Sequence, residues 1–263
     1  MIRTDNLEVV YKNGTRALSR CSLTFAPGAF TVLLGASGAG KSTLLRSLNY
    51  LVVPTGGHII TESGDLQNRH RLRAHRRRTG MVFQQHQLIG RASVLANVLT
   101  GRLGYHSGLR TLLPPTRAEK KIALEAIERV GLIDYALRRA DQLSGGQQQR
   151  VGIARAMVQQ PSLILADEPV ASLDPASADR VLSLLHGICK SDGITAIVSL
   201  HQLEFAKRYA DRIVALAQGA IVFDGPPKKL SQIDIANIYG TDTSGAGEDA
   251  FDDRPTLRTG TYS

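Results

Sequence analysis

The nonapeptide Gly35-Ala36-Ser37-Gly38-Ala39-Gly40-Lys41-Ser42-Thr43 decides the fold of this 263-residue chain. It fits the phosphate-loop pattern G-x-x-x-x-G-K-[ST] without a mismatch. The apolar run before it, residues 30–34, predicts a buried strand, and the apolar spacing of residues 44–48 predicts a helix. A strand that turns through glycines into a helix N-terminus points backbone N–H groups and the positive end of the helix dipole at one place. The alternative, a glycine-rich turn that binds nothing, does not explain the flanking strand and helix.

Two side chains of this loop are predicted to take part in phosphate chemistry. Lys41 can reach the β- and γ-phosphates of a nucleoside triphosphate, and the Ser42 hydroxyl can ligate Mg²⁺. The loop backbone from Gly35 to Thr43 supplies the remaining phosphate contacts. The sequence therefore predicts a nucleoside triphosphate with Mg²⁺ as the ligand of this segment.

Composition limits the class of protein. The length suits one large domain or a domain with a subdomain, and the 43% hydrophobic content is enough for a buried core. No apolar run approaches the roughly 20 residues that span a bilayer, and residues 1–5 lack the apolar core of a secretion signal. We therefore expect a cytoplasmic chain that is not itself a pore. Cys21 and Cys189 are predicted to be reduced and partly buried.

The net charge of +9 is unevenly distributed. The last 23 residues, 241–263, hold five acids and two arginines, so they carry −3 and residues 1–240 carry +12. That tail is rich in Gly, Ser, Thr and Asp and is predicted to lack fixed structure. A basic body can attract nucleic acid, anionic lipid headgroups or an acidic protein partner.

An arginine cluster, defined by the six arginines between positions 69 and 78, concentrates part of the positive charge. It either contacts lipid headgroups or an acidic partner, or it forms a solvated face, and the solvated face is the interpretation that we favour. Binding to single-stranded nucleic acid would favour aromatic residues between the charges, and this segment has none.

Periodicity divides the chain into zones. Short apolar runs predict early strands at residues 7–11, 21–25, 30–34 and 58–61, and a polar segment at 64–78 leads to a strand at 81–83 and a turn at 84–90. Helical patterns dominate residues 94–160, most clearly in the helix 117–130 that ends at Gly131. Strands then alternate with helices, at 163–166, 176–190, 195–199, 203–209, 213–217 and 220–223. This alternation favours an α/β fold with a mainly parallel sheet.

Two acids follow the apolar run at residues 163–166, which places them at the edge of the predicted sheet where α/β proteins bind ligands. Asp167 is predicted to hold the Mg²⁺ shell, and Glu168 to polarise the attacking water. The alternative is that two acids simply end a strand in solvent.

The run LSGGQQQR, residues 143–150, predicts a second helix that begins with Ser144 as its N-cap. Glycines at this start keep the backbone open to a phosphate. Taken alone, the run is equally typical of a well-capped helix that binds nothing.

In combination, these motifs resemble the ATP-binding-cassette ATPases over about residues 1–240. Four further residues match landmarks of that family. Gln84 matches the Q-loop, Asp174 in Ser172-Leu173-Asp174 matches the D-loop, and His201 matches the switch histidine. Tyr11 stands where the family places an aromatic residue that stacks on adenine.

The resemblance implies a fold and a mechanism. The fold is that of a P-loop NTPase with a RecA-like core, an antiparallel β subdomain and an α-helical subdomain inserted at about residues 86–160. Two copies pair head to tail, so that ATP lies between the loop 35–43 of one subunit and a second group of residues from the other: Ser144, Gly145, Gly146, Gln147 and Asp174. Glu168 then acts as the general base, His201 contacts the γ-phosphate, and the Mg²⁺ shell is formed by Ser42, Gln84 and Asp167.

Several classes share this cassette. Nucleic-acid-associated relatives are split by long coiled coils or carry two cassettes, whereas here Lys41 and Asp167 are 126 residues apart with no heptad run between them. This favours an import ATPase, which implies membrane-spanning permease subunits, an indirectly coupled solute-binding protein, no nucleic acid, and a peripheral location at the cytoplasmic face of the inner membrane. A nucleic-acid-associated ATPase is the alternative class.

Among importers, residues 83–88, 93–104 and 166–175 resemble the phosphonate-import ATPases. Importers of phosphite, hypophosphite or another small solute are the alternatives. Ala36 and Ala96 differ from the residues that many relatives carry, and neither difference removes a catalytic group.

Overall fold

The computed structural model describes residues 1–84, 87–106 and 113–240. Its strands are β1 (Ile2–Val10), β2 (Arg16–Phe25), β3 (Phe30–Leu34), β4 (Gly56–Thr61), β5 (Gly64–Asp65), β6 (Thr79–Val82), β7 (Leu163–Ala166), β8 (Thr195–Leu200), β9 (Arg212–Ala217) and β10 (Ala220–Gly225). Its α-helices are α1 (Lys41–Leu48), α2 (Arg69–Arg77), α3 (Val94–Leu99), α4 (Arg117–Arg129), α5 (Gly145–Met157), α6 (Pro175–Ser191), α7 (Leu203–Tyr209) and α8 (Gln232–Tyr239). The predicted tail, 241–263, and part of the predicted turn 84–90 lie outside the described residues.

A six-stranded sheet forms the centre of the molecule, in the order β10-β9-β3-β8-β7-β6. Its strand pairs are parallel except that β10 runs antiparallel to β9. All five residues of β3 are buried, as expected for a central strand that is covered on both faces. The predictions of an α/β fold and a mainly parallel sheet are confirmed. The carboxyl ends of β3, β6, β7 and β8 lie at one edge of this sheet.

A second sheet of four strands, in the order β2-β1-β4-β5, is antiparallel. It shares a hydrophobic core with α1, in which Leu7, Phe25 and Ile59 lie in one cluster with Leu44 and Leu48. β1 and β2 are longer than the apolar runs predict, because polar residues occupy their solvent-facing positions.

The helices α3, α4 and α5 pack against one another beside the central sheet. A capping box fixes the start of α4, where Thr116 and Glu119 bind each other's backbone N–H groups. The helix ends before Gly131, whose φ of +67° is the left-handed conformation predicted for a C-terminal glycine. The predicted helix 117–130 is therefore confirmed to within one residue.

The arginine cluster forms helix α2, which periodicity did not predict. Asn68 caps this helix by accepting hydrogen bonds from the backbone N–H groups of His70 and Arg71. No residue of α2 is buried, so the helix has no apolar stripe to reveal it in the sequence. Two arginines tie it to the rest of the protein, since Arg76 donates to the carbonyls of Asn49 and Tyr50, and Arg77 to that of Gly104.

Cys21 and Cys189 are free thiols, and both are fully buried rather than partly buried as predicted. Among the described residues, none of the helices combines the length and the apolar character needed to cross a membrane.

Candidate functional site

The phosphate loop joins β3 to α1 at the carboxyl edge of the central sheet. Gly40 precedes the first residue of α1 with φ of +102°, a conformation that side chains with a Cβ rarely adopt. A Cβ at Gly40 would also lie 2.5 Å from the carbonyl oxygen of Ala17, so glycine is required there twice over. The loop thus turns as its pattern predicts and leads directly into a helix N-terminus.

Lys41 is buried at the first position of α1, with 3% of its side chain exposed. Its ammonium group donates to the carbonyl oxygens of Gly35 (2.8 Å) and Ala36 (2.9 Å), and its Nζ lies 3.3 Å from Nδ1 of His201. Burial lowers the pKa of Lys41, and this effect is opposed by the charges of the two acids at the end of β7. The cation is therefore held inside the loop, where a phosphate would exchange with the carbonyl groups.

Asp167 is 1% exposed, and both of its carboxylate oxygens have partners. Oδ1 accepts hydrogen bonds from the hydroxyls of Ser42 (2.7 Å) and Ser199 (3.2 Å). Oδ2 accepts two from Arg46, through Nε at 3.0 Å and Nη2 at 2.8 Å. The loop serine and the strand-end aspartate that the sequence pairs in one Mg²⁺ shell therefore lie in direct contact.

Sequence reasoning missed Arg46 and Ser199. Arg46 lies one helical turn after Ser42, so both point from the same face of α1, and this spacing was the signal that could have found it. Ser199 lies near the end of β8, the strand next to β7, and only the strand order brings it to the site.

Glu168 has a backbone φ of +47°, which is uncommon for a residue with a side chain. Its N–H donates to the Ser199 hydroxyl at 2.8 Å, and this bond helps to hold the strained conformation. The turn directs its carboxylate to His201, with 2.5 Å between Oε1 and Nε2, while Lys41 Nζ lies 4.0 Å away. Acid, imidazole and loop lysine thus converge on one point.

The contacts of His201 define its tautomer. Lys41 carries only donors, so Nδ1 must accept, and the proton lies on Nε2 and is donated to Glu168. The backbone of His201 is also held, because its carbonyl oxygen accepts a hydrogen bond from the Tyr239 hydroxyl at 2.8 Å.

Two further predicted residues lie at the rim of the site. Tyr11 is 43% exposed, and its hydroxyl lies 3.1 Å from Oγ1 of Thr43, the last residue of the phosphate loop. Gln84 is exposed two residues beyond Val82, and Val82 pairs with Ala166 in the register of β6 and β7. Gln84 and Glu168 therefore follow neighbouring strands by the same number of residues.

The residues predicted to bind the ATP of a partner subunit lie at two other helix starts. Ser144 is the N-cap of α5, as predicted, and forms a capping box with Gln147 in which its hydroxyl accepts from the Gln147 N–H at 3.4 Å. Asp174 caps α6 by accepting from the Ser177 N–H at 2.9 Å, and hydrogen bonding from the side chain and then the backbone of Ser177 lowers the pKa of Asp174. Gly146 faces Ser177, so the two helix starts are adjacent.

These two helix starts are separate from the phosphate loop of the same chain. Within the described ranges, no hydrogen bond or ion pair connects residues 144–147 or Asp174 with residues 35–43. If one nucleotide contacts both a phosphate loop and these helix starts, the loop and the helix starts must come from two different chains.

The fold and the site define a class of protein. A phosphate loop after the central strand β3, an acid pair after β7 and an imidazole after β8, the strand between them, are the parts of a P-loop nucleoside triphosphatase. The model of the family described as "ABC transporter" matches residues 18–171, which is more than half of the chain. The chain therefore belongs to the ABC transporter family, and the predicted family and fold are confirmed.

Known relatives agree with this assignment. The chain is 63% identical over 239 residues to the phosphite import ATP-binding protein PxtA of Stutzerimonas stutzeri, covering 91% of this chain and 87% of that protein. It is 57% identical over 256 residues to the phosphonates import ATP-binding protein PhnC 3 of Nostoc sp., covering 97% and 96%.

Solved structures share the fold. A dimeric, post-hydrolysis structure of the ATP-binding cassette MJ0796 with ADP and Pi superposes with a TM-score of 0.76 at 32% identity, covering 86% of this chain and 99% of that one. The chain is accordingly an ABC-type ATPase that binds and hydrolyses ATP.

Proposed function

We propose that this chain is the ATP-hydrolysing subunit of an importer that takes up phosphonates across the cytoplasmic membrane. The convergence of Lys41, Glu168 and His201 at one edge of the sheet is the observation that carries the ATPase part of the proposal. The substrate class is supported by relatives at 57% and 63% identity, one named for phosphonates and one for phosphite. Phosphite is therefore the second candidate solute.

The geometry supports a role for each of four residues. Glu168 is the general base that polarises the attacking water, and its strained backbone and short contact with His201 support this role. His201 contacts the γ-phosphate by exchanging the contact of its Nε2–H with Glu168 for one with a phosphate oxygen. Lys41 binds the β- and γ-phosphates, and Tyr11 stacks on the adenine of ATP.

The residues present fit Mg²⁺. This ion is usually held by one or two carboxylates together with substrate phosphates and water, not by a protein cage. A hydroxyl and a carboxylate 2.7 Å apart, from Ser42 and Asp167, meet this need, and no cluster of three acidic, histidine or cysteine ligands occurs among the described residues. Gln84 would be a further ligand, and the ion would neutralise charge on the β- and γ-phosphates.

A homodimer completes the site. The separation of Ser144–Gln147 and Asp174 from the phosphate loop supports a head-to-tail pair, in which each ATP is bound by the loop of one subunit and by these residues of the other. The hydroxyl of Ser144 accepts within its own helix and retains its proton for a phosphate oxygen.

The domain organisation and the partners belong to the same proposal. Residues 1–240 form one nucleotide-binding domain with a helical subdomain at about 86–160, which the packing of α3, α4 and α5 supports. The subunit is peripheral at the cytoplasmic face of the membrane, bound to permease subunits and served by a solute-binding protein. It has no nucleic-acid partner.

Glu168→Gln tests the catalytic proposal, with Glu204→Gln as a matched control because Glu204 is exposed in the first turn of α7. We expect the first variant to bind ATP, to hydrolyse it very slowly and to accumulate as a dimer in size-exclusion chromatography, while the control behaves like the wild type. Normal turnover by Glu168→Gln would show that Glu168 is not the base.

The solute is tested by growth of a deletion strain on phosphonate, phosphite or phosphate as the sole phosphorus source. Loss of growth on phosphonate alone supports the first candidate, and loss on phosphite alone supports the second. Stimulation of the ATPase by DNA or RNA would instead favour a nucleic-acid-associated ATPase.

A further inference from the structure

The last helix of the described chain, α8, contacts the switch histidine, His201, although none of the predicted catalytic residues lies on α8. A capping box between Ser231 and Asp234 fixes its start, and Gly240 ends it in the left-handed conformation. Ile238 anchors it in the core with 2% exposure. Helix α8 packs on β9 and β10, so its last side chain, Tyr239, is held in place by the core.

Tyr239 makes one hydrogen bond with a residue of the site, from its hydroxyl to the carbonyl oxygen of His201 at 2.8 Å. Burial raises the pKa of Tyr239, so the hydroxyl keeps its proton and remains a donor across the physiological range. The bond spans 38 residues of sequence and joins two elements that no strand pairing connects.

His201 depends on such a tether because little else fixes its backbone. It lies in a two-residue link, His201-Gln202, between the end of β8 at Leu200 and the start of α7 at Leu203. Its ring contacts are with Lys41 and Glu168, two groups that must rearrange around a phosphate and a water during turnover. The Tyr239 bond involves no reacting group and can persist through the cycle.

We propose that Tyr239 is a positioning residue that acts on ATP hydrolysis by holding the backbone of His201. This inference rests on the proposed contact between His201 and the γ-phosphate. Removing the hydroxyl leaves phosphate-loop binding intact but widens the range of positions that the imidazole samples, which lowers the rate of the chemical step.

The test is Tyr239→Phe, which keeps the buried ring and removes only the hydroxyl. Tyr209→Phe is the matched control, since the Tyr209 hydroxyl also bonds a backbone carbonyl and a carboxylate, but those of Asp179 and not of His201. Steady-state ATPase assays on the full chain give kcat and KM, and thermal unfolding reports on stability. We expect kcat of Tyr239→Phe to fall about three- to tenfold with KM for ATP unchanged, the size of one neutral hydrogen bond.

A double-mutant cycle separates positioning from general loosening of the fold. Single-turnover assays with enzyme in excess compare His201→Ala with His201→Ala/Tyr239→Phe. If Tyr239 acts through His201, the second substitution has no further effect in that background. A fall of equal size there, or an unchanged kcat in Tyr239→Phe alone, would overturn the inference.

The same assays keep the two proposals apart. A wild-type chain without ATPase activity contradicts the proposed function. A wild-type chain that hydrolyses ATP while Tyr239→Phe matches Tyr209→Phe contradicts only the role of Tyr239.

Discussion

Replacing Arg46 by methionine should destabilise the protein, because it leaves the buried carboxylate of Asp167 without its cationic partner. Arg46 makes two hydrogen bonds to Oδ2 of Asp167, at 3.0 and 2.8 Å, and Asp167 is 1% exposed. Methionine keeps an unbranched apolar stem and nearly the same helix propensity, so α1 itself should be little affected. The substitution therefore removes the cationic partner and leaves the carboxylate where it is.

The size of the expected loss in unfolding free energy depends on how deeply the two charged groups are buried. Removing one partner of a fully buried ion pair costs about 3–5 kcal/mol, and a hydrogen bond to a charged group contributes about 1.5–3 kcal/mol. Arg46 is 46% exposed, so water screens part of the interaction, and Ser42 and Ser199 still bond Oδ1. We therefore expect a loss of about 2 kcal/mol, which for a chain of this size lowers Tm by about 4–8 °C.

The assay is thermal unfolding followed by far-UV circular dichroism, in buffer with a chelator so that no divalent cation replaces the guanidinium. Arg16→Met is the control, because Arg16 is 63% exposed and its Nε lies 3.5 Å from Glu8, so the change should stay within about 0.5 kcal/mol. The double variant Arg46→Met/Asp167→Asn should recover much of the loss, since the uncompensated charge is then gone. Equal Tm values for Arg46→Met and Arg16→Met, or no recovery in the double variant, would refute the reasoning.

Two further predictions concern pH and thiol chemistry. Hydrogen bonds from Arg129 lower the pKa of Asp192 in the folded state, so this pair stabilises the fold above the unfolded pKa of Asp192, and the contribution is lost as pH falls through the lowered value. Asp192→Asn should therefore reduce Tm at pH 7, and in a pH series of melting curves the difference from the wild type should shrink as the wild-type carboxylate becomes protonated. Burial raises the pKa of Cys21 to about 11 and that of Cys189 to about 12, so neither thiol should react with a thiol-specific disulfide reagent at pH 8 in the native protein. Both should react in denaturant, and rapid native-state labelling would contradict the assigned burial.

Local patterns predicted the elements closest to the site. Strand β3, strand β7 and helix α7 have the predicted boundaries, because each is a compact apolar run or a regular helical pattern between clear punctuation. The order of the motifs then placed the loop lysine, the acid pair and the histidine at one sheet edge. The contacts Lys41–His201 and His201–Glu168 agree with that placement.

Other features depend on tertiary context that a sequence pattern does not carry. None of the residues of helix α2 is buried, so the sequence shows no apolar periodicity there. The feature that could have predicted the helix is its N-cap, Asn68. The left-handed backbone of Glu168 cannot be expected from its residue type, since the surrounding sheet edge imposes it. Arg46, Ser199 and Tyr239 reach the site by contacts over 31 to 121 residues, and only the strand order and the helix packing reveal them.

The capping box of α5 has a consequence for how this chain can tolerate change. One hydroxyl, that of Ser144, stabilises the first turn of its own helix and is also proposed to face the nucleotide of a second subunit. Alanine at this position would weaken the helix by about 1 kcal/mol even in an isolated subunit. The stability of the isolated subunit therefore depends on the same atom that the proposed dimer would use, so Ser144 cannot be replaced by alanine without a cost to the fold.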